Sequence, residues 1–163
     1  MSKENKTLPL LNDNLDKELV WRKKELSHIK NVIPAKENAK QKSFIRAGLS
    51  MLYAHLEGFT KTSCTHYASY VKLRRLNLKE LKSCFIARIT HSLPRQNKKE
   101  FEKEIDKINF ILDELNKRAY DRDIQIDTKS NLNFEILGDV LLSIGLEVKK
   151  LSTHSNMFAK YCE

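Results

Sequence analysis

The sequence predicts an all-α protein, a helical bundle with one long central helix. Three observations predict this class. Apolar residues recur at three- and four-residue spacing through most of the chain. Only four glycines and three prolines are present, too few for a turn-rich β-sandwich or a glycine-loop nucleotide binder. The length of 163 residues is that of one ordinary domain, so we expect a single domain over residues 1–163.

The first two predicted helices are separated by a proline. Asn12 or Asp13 can cap a first helix that runs to about Ile33. Pro34 ends this helix because its ring and its missing N–H group cannot continue the hydrogen-bond ladder. The long second helix is predicted over about residues 37–73.

The long helix contains two glycines, Gly48 and Gly58. A glycine inside a helix costs roughly 1 kcal/mol relative to alanine. We therefore expect both positions to mark the close approach of another backbone, with tight packing between helices as the simplest explanation.

Three shorter helices are predicted over about residues 78–89, 98–119 and 134–144. The second of them should carry an apolar face made of Phe101, Ile105, Ile108, Leu112 and Leu115. Asn133 can cap the third helix, and Gly145 can end it. Ile124 and Ile126 alternate with polar neighbours, which is typical of a short extended piece.

The charge is distributed unevenly along the chain. Lys and Arg total 30 against 21 Asp and Glu, a net charge of +9. Residues 1–100 hold 21 basic and 9 acidic residues, whereas residues 101–163 hold 9 basic and 12 acidic residues. A basic first part favours a phosphate-rich partner such as RNA. The alternative is that lysine-rich helices serve only solubility.

Several classes of protein are disfavoured by missing patterns. No apolar run has the length of a membrane span, and the first residues lack the apolar core of a signal peptide. Cys64, Cys84 and Cys162 have no metal-ligand spacing. No phosphate-binding or dinucleotide-binding glycine motif occurs. We expect a cytoplasmic protein with reduced thiols that binds no metal, no other cofactor and no membrane.

Residues 46–61 (RAGLSMLYAHLEGFTK) contain the main candidate site. On a helical wheel the predicted core stripe is Ile45, Leu49, Leu52, Leu56 and Phe59. The polar candidates beside this stripe are Arg46, Tyr53, Glu57 and Lys61 on one edge and His55 on the other. The cations could hold a phosphate, and His55 could transfer a proton near neutral pH. The alternative is structural: Glu57 pairs with a cation, and His55 satisfies a neighbouring backbone group.

A second candidate site follows the long helix. Lys72, Arg74 and Arg75 come after Tyr67 and Tyr70, and RNA bases could stack there while phosphates are bound. The alternative is that the tyrosines complete the core and the cations only solvate the end of the helix.

Three segments, in this order and spacing, resemble a known family. They are LDKELVWRKKEL at residues 15–26, RAGLSMLYAHLEGFTK at residues 46–61 and SNLNFEILGDVLLSIGLE at residues 130–147. Together they resemble the HEPN superfamily, in the RiboL-PSP-HEPN branch of toxin–antitoxin and phage-defence proteins. The resemblance implies a helical bundle that commonly forms a homodimer, a link to an antitoxin or another defence protein, and metal-independent endoribonuclease activity in active members.

The activity of that superfamily resides in an R-x(4–6)-H motif near the end of the domain. Arg88 and His91 are too close for this motif, and Arg46 and His55 are too far apart. Lys149 precedes His154 where the motif would require an arginine. The chain is therefore expected to lack the motif and to be inactive as it stands. Either a final helix that carries the motif is missing, or the chain is a non-catalytic module that binds RNA or a partner protein.

Overall fold

The computed structural model describes residues 5–91, 99–118 and 132–147. Within these residues it contains five α-helices: α1 (Leu8–Val32), α2 (Ala39–Leu73), α3 (Ser83–His91), α4 (Glu100–Glu114) and α5 (Phe134–Ser143). A short 3-10 helix, Leu78–Glu80, lies between α2 and α3. This part of the chain contains no β-strand, and α2 is 35 residues long. The predicted all-α class with one long helix is confirmed.

Helix α1 begins earlier than predicted. The Thr7 side chain caps it by accepting a hydrogen bond from the Leu10 backbone N–H at 3.4 Å. Pro9 lies in the first turn, where its missing N–H has no partner to lose. Asn12 and Asp13, the predicted caps, are therefore inside the helix. The cap predicted for α5 is confirmed, because the Asn133 side chain accepts from the Ile136 N–H at 2.8 Å.

Helices α1 and α2 form an antiparallel hairpin, and both glycines of α2 face α1. A Cβ atom added at Gly48 would lie 3.2 Å from the Ile29 side chain, and one added at Gly58 would lie 3.4 Å from Arg22 Nη2. Tight packing between helices is therefore found at Gly48, whereas the contact at Gly58 has an ordinary van der Waals distance. At both glycines the neighbouring group is a side chain of α1, so the expected close approach of another backbone is not observed. The packing joins two helices of the same chain.

The core lies at the other end of α2, where α3 and α5 pack against its second half. Its buried members are Cys64, Ala68, Leu78, Leu81, Phe85, Ile89, Val140 and Ile144. Arg88 of α3 donates a hydrogen bond to the Ser143 hydroxyl of α5 and so joins the two short helices. Gly145 follows α5 with φ of 76°, a left-handed conformation that glycine adopts without strain.

The predicted core stripe of α2 is wrong at its first three positions. Ile45, Leu49 and Leu52 are 42%, 46% and 46% exposed, and Leu56 and Phe59 are half-buried. The reason is that α1 covers the Gly48 side of this half of α2, whereas the core elements reach only the second half. None of the described elements covers the part of the stripe in the first half of α2, at Ile45, Leu49 and Leu52.

Helix α4 also presents its apolar face to solvent. Phe101, Ile105, Ile108 and Leu112 are 77%, 44%, 56% and 65% exposed, and α4 contributes no buried residue. Its contact with the core is made by the opposite face, through the half-buried Phe110.

Some predicted features fall outside the described residues. They are the extended piece at Ile124 and Ile126, and the positions of Lys149 and His154. Among the helices that the structure describes, none combines the length and the apolar character needed to cross a membrane.

Candidate functional site

His55 lies on the face of α2 that contacts α1. Its side chain is 11% exposed, and its Nε2 atom lies 3.0 Å from Oε2 of Glu25. The two atoms are close, but their geometry does not form a hydrogen bond. The imidazole also packs edge to face against Trp21, with ring centroids 5.2 Å apart. Both contacts hold His55 against α1.

Arg22 forms the second polar contact of this hairpin. The residue is only 7% exposed, and its guanidinium carbon lies 4.3 Å from the Trp21 ring centroid and 5.8 Å from that of Phe59. Its Nη1 donates to the backbone oxygen of Glu18 at 2.6 Å and to the Glu18 carboxylate. The charge of Arg22 is therefore neutralised and held between two rings.

Trp21 and Arg22 are not among the site residues predicted from the sequence. A signal was present, because Glu18 and Arg22 have the i,i+4 spacing of an ion pair and Arg22 falls on the apolar side of α1. Burial of that pair depends on Gly58 and Phe59, which lie on α2. The apolar pattern of α1 alone does not show that α2 packs there.

The five predicted cleft residues of α2 do not meet in one place. His55 faces α1, whereas Arg46 is nine residues away, which is about 180° around a helix at 100° per residue. Arg46 and Lys61 are exposed, and Tyr53 and Glu57 are half-buried. By the same geometry Tyr53, Glu57 and Lys61 lie on the Arg46 side of α2. Within one protomer, His55 and these cations cannot converge on one phosphate.

The expectation that no arginine precedes a histidine at motif spacing is wrong. Arg22 and His28 have five residues between them, which fits R-x(4–6)-H. The pair lies in α1, near the start of the chain, and its side chains diverge by about 120° around the helix. Arg22 is buried and bound to Glu18, whereas His28 is exposed. These two groups do not form a cation–base pair on one substrate atom.

The second candidate site lies at the end of α2. Arg74 and Arg75 are exposed and Lys72 is half-buried. Arg74 lies over the Tyr70 ring, with its guanidinium carbon 6.0 Å from the centroid. Tyr67 instead packs against the core. One tyrosine therefore completes the core, while the other stays beside the cations.

Two groups of the core have raised pKa values. Burial raises the pKa of the Cys64 thiol, and the nearby Arg88 opposes this in part. Burial also raises the pKa of Tyr67, with a smaller effect from Cys84 and Tyr70. A thiol held in its protonated form is a poor nucleophile, so Cys64 is a structural residue. In the part of the chain that the structure describes, no three His, Cys, Asp or Glu side chains are grouped to hold a metal ion.

Comparison with known proteins gives one match. The model of the RiboL-PSP-HEPN family matches residues 17–161, which include α2 to α5 and most of α1. No curated protein and no solved structure matches the chain.

Proposed function

Because the chain belongs to the RiboL-PSP-HEPN family, we propose that it is an RNA-targeting component of a toxin–antitoxin or antiviral system. The observation that carries this proposal is the charge. Residues 1–100 hold 21 basic and 9 acidic residues, and most of the described helical residues belong to them. Helices with an excess of lysine and arginine attract the phosphate backbone of RNA.

The proposed action is binding without cleavage. RNA cleavage by proton transfer needs a base at the attacking 2′-hydroxyl and a cation at the phosphate, both at the same reacting centre. Arg22 is held by Glu18, and His55 is held against Glu25 and Trp21. Arg46 and Lys61 lie on the far side of α2. Within one protomer, none of these cations can therefore reach the same substrate phosphate as His55.

A salt titration tests the proposal of RNA binding. A fluorescently labelled single-stranded RNA is mixed with the purified protein, and anisotropy is measured from about 50 to 200 mM salt. We expect the logarithm of the affinity to fall linearly with the logarithm of the salt concentration, with a slope of roughly −0.7 for each phosphate contact. Absence of binding at the lowest salt concentration would contradict the proposal.

A second candidate function is that of an interaction module, and the exposed apolar faces favour it. The face of α4 is bordered by the exposed acidic residues Glu102, Glu104 and Asp113. The exposed stripe of α2 is bordered by the exposed Lys42 and Arg46. One apolar surface is therefore surrounded by negative charges and the other by positive charges. The α4 face of one copy of the chain is complementary to the α2 stripe of a second copy.

We therefore propose a homodimer in which α4 of one protomer covers the α2 stripe of its partner. In a two-fold arrangement this contact would form twice, because α4 of each protomer would cover the α2 stripe of the other. The partner could instead be an antitoxin or another defence protein, in which case the chain alone would remain monomeric in solution. The mass of the purified protein in solution decides between these two outcomes.

A further inference from the structure

One face of α1 presents an aromatic ring between cations. Lys17, Trp21, Lys24 and His28 follow one another at spacings of four, three and four residues, so they lie along one line of the helix. All four residues are exposed. We call them the Trp21 stripe. At a rise of about 1.5 Å per residue, the two lysines lie roughly 6 Å and 4.5 Å from Trp21 along the axis.

The Trp21 ring is exposed and held in place at the same time. Trp21 is the single tryptophan of the chain, and it is 47% exposed. This exposure is notable because tryptophan side chains are on average highly buried. Arg22 covers the ring at 4.3 Å, and His55 packs against it at 5.2 Å between centroids. A ring fixed in this way loses little conformational entropy when a ligand stacks on it.

The charge around the ring is positive on its solvent side. The carboxylate of Glu18 is bound to Arg22, and that of Glu25 lies against His55. Lys17 and Lys24 take part in no ion pair among the described residues. Their ammonium groups therefore remain available to an anionic ligand beside the ring.

We propose that the Trp21 stripe binds single-stranded RNA, with one base stacked on the Trp21 ring and phosphates on Lys17 and Lys24. This inference rests on the proposed function in RNA binding, and it assigns the binding to a surface outside both candidate sites predicted from the sequence. Aromatic stacking combined with lysine–phosphate contacts is the usual arrangement for single strands, whose bases are free to unstack. An apolar protein surface would leave both ammonium groups without a partner.

The fluorescence of Trp21 gives a direct test, because it is the sole tryptophan. The full chain is titrated with an unstructured 12-nucleotide RNA, and tryptophan emission and anisotropy of the labelled RNA are followed together. We expect emission to be quenched with the same midpoint as the anisotropy change. A duplex of equal length should quench far less, because its bases remain paired and stacked.

Two matched double variants separate this surface from the general charge of α1. Lys17→Gln with Lys24→Gln removes the two cations of the stripe. Lys23→Gln with Lys30→Gln removes two exposed lysines at the same spacing on the opposite side of the helix from Trp21. The first variant should reduce the salt slope by about 1.4, and the second should leave it unchanged.

Replacement of the ring tests the stacking itself. Trp21→Leu should weaken RNA binding by roughly 5- to 150-fold, and Trp21→Phe should weaken it less. Circular dichroism melting checks that each variant is folded, and the lysine variants remain decisive if Trp21→Leu does not fold.

The outcomes distinguish the two proposals. RNA binding with unchanged Trp21 emission, or equal losses in both lysine variants, would overturn the Trp21 stripe and leave the proposed RNA binding intact. No RNA binding at low salt would overturn both proposals.

Discussion

His55 packs edge to face against Trp21 across the two helices of the hairpin, with their ring centroids 5.2 Å apart. The segment that contains the main candidate site, residues 46–61, therefore uses His55 for a contact between helices. The imidazole stabilises the α1–α2 pair, and this role has consequences that differ from those of a catalytic residue.

The first prediction concerns this contact. His55→Ala should lower the free energy of unfolding by about 1–3 kcal/mol, because it removes a nearly buried ring and leaves a cavity beside Trp21. His28→Ala, at an exposed position of α1, should change it by less than about 0.5 kcal/mol. Urea unfolding followed by circular dichroism measures both. Equal stability of the two variants would contradict the structural role of His55.

The second prediction concerns the two glycines of α2. Gly58→Ala should stabilise the protein by up to about 1 kcal/mol, because alanine has the higher helix propensity and the new Cβ would lie 3.4 Å from Arg22 Nη2, an ordinary contact. Gly48→Ala should gain less, because its Cβ would lie only 3.2 Å from the Ile29 side chain. Thermal melts compare the two. A larger gain at Gly48 than at Gly58 would contradict the packing of the hairpin.

The third prediction concerns stability at alkaline pH. The pKa values of Cys64 and Tyr67 are raised in the folded protein. From about pH 8.5 upward the unfolded chain releases these protons first, so it binds fewer protons than the native state and stability falls as the pH rises. Below that pH neither group changes the stability.

Denaturant unfolding between pH 7 and 10.5 tests this dependence, and Tyr67→Phe is the informative variant because it keeps the ring and removes the titrating group. Its stability should fall less steeply above pH 9.5 than that of the wild type. A decline that is equally steep in both proteins would show that Tyr67 does not contribute.

The fourth prediction concerns assembly. Leu112→Asp should weaken the proposed homodimer, because it places a charge in the apolar face of α4. Val20→Asp is the matched control, since Val20 is 64% exposed against 65% for Leu112 but lies on α1, outside both proposed dimer surfaces. Light scattering at tens of micromolar, roughly the range in which such dimers are populated, measures the mass. A monomeric wild type would contradict the homodimer.

The fold was predictable where the sequence has local signals. Pro34 separates the first two helices, and Asn133 and Gly145 bound the last one, because caps and breakers act through neighbouring backbone atoms. The start of α1 was missed because Thr7 and Pro9 precede the periodic apolar pattern on which the prediction relied.

The candidate site was less predictable, because it depends on which helix lies beside which face. The apolar pattern of α2 marks Leu49 and Leu52 for burial as strongly as Leu56, yet no described element covers the first two. Conversely, a charged Arg22 is buried, because Glu18, Trp21 and Phe59 together surround it. Partners from another element decide both outcomes, and helical periodicity carries no information about them.

The question whether this protein binds RNA without cutting it is answered by incubating the purified 163-residue protein with end-labelled single-stranded RNA and resolving the products on a denaturing gel. We expect the RNA to remain intact, because neither Arg22 with His28 nor Arg46 with His55 places a cation and a base on one phosphate. Specific cleavage that is lost in His55→Ala or His28→Ala, both still folded, would show that binding without cleavage is wrong and would identify that histidine as catalytic.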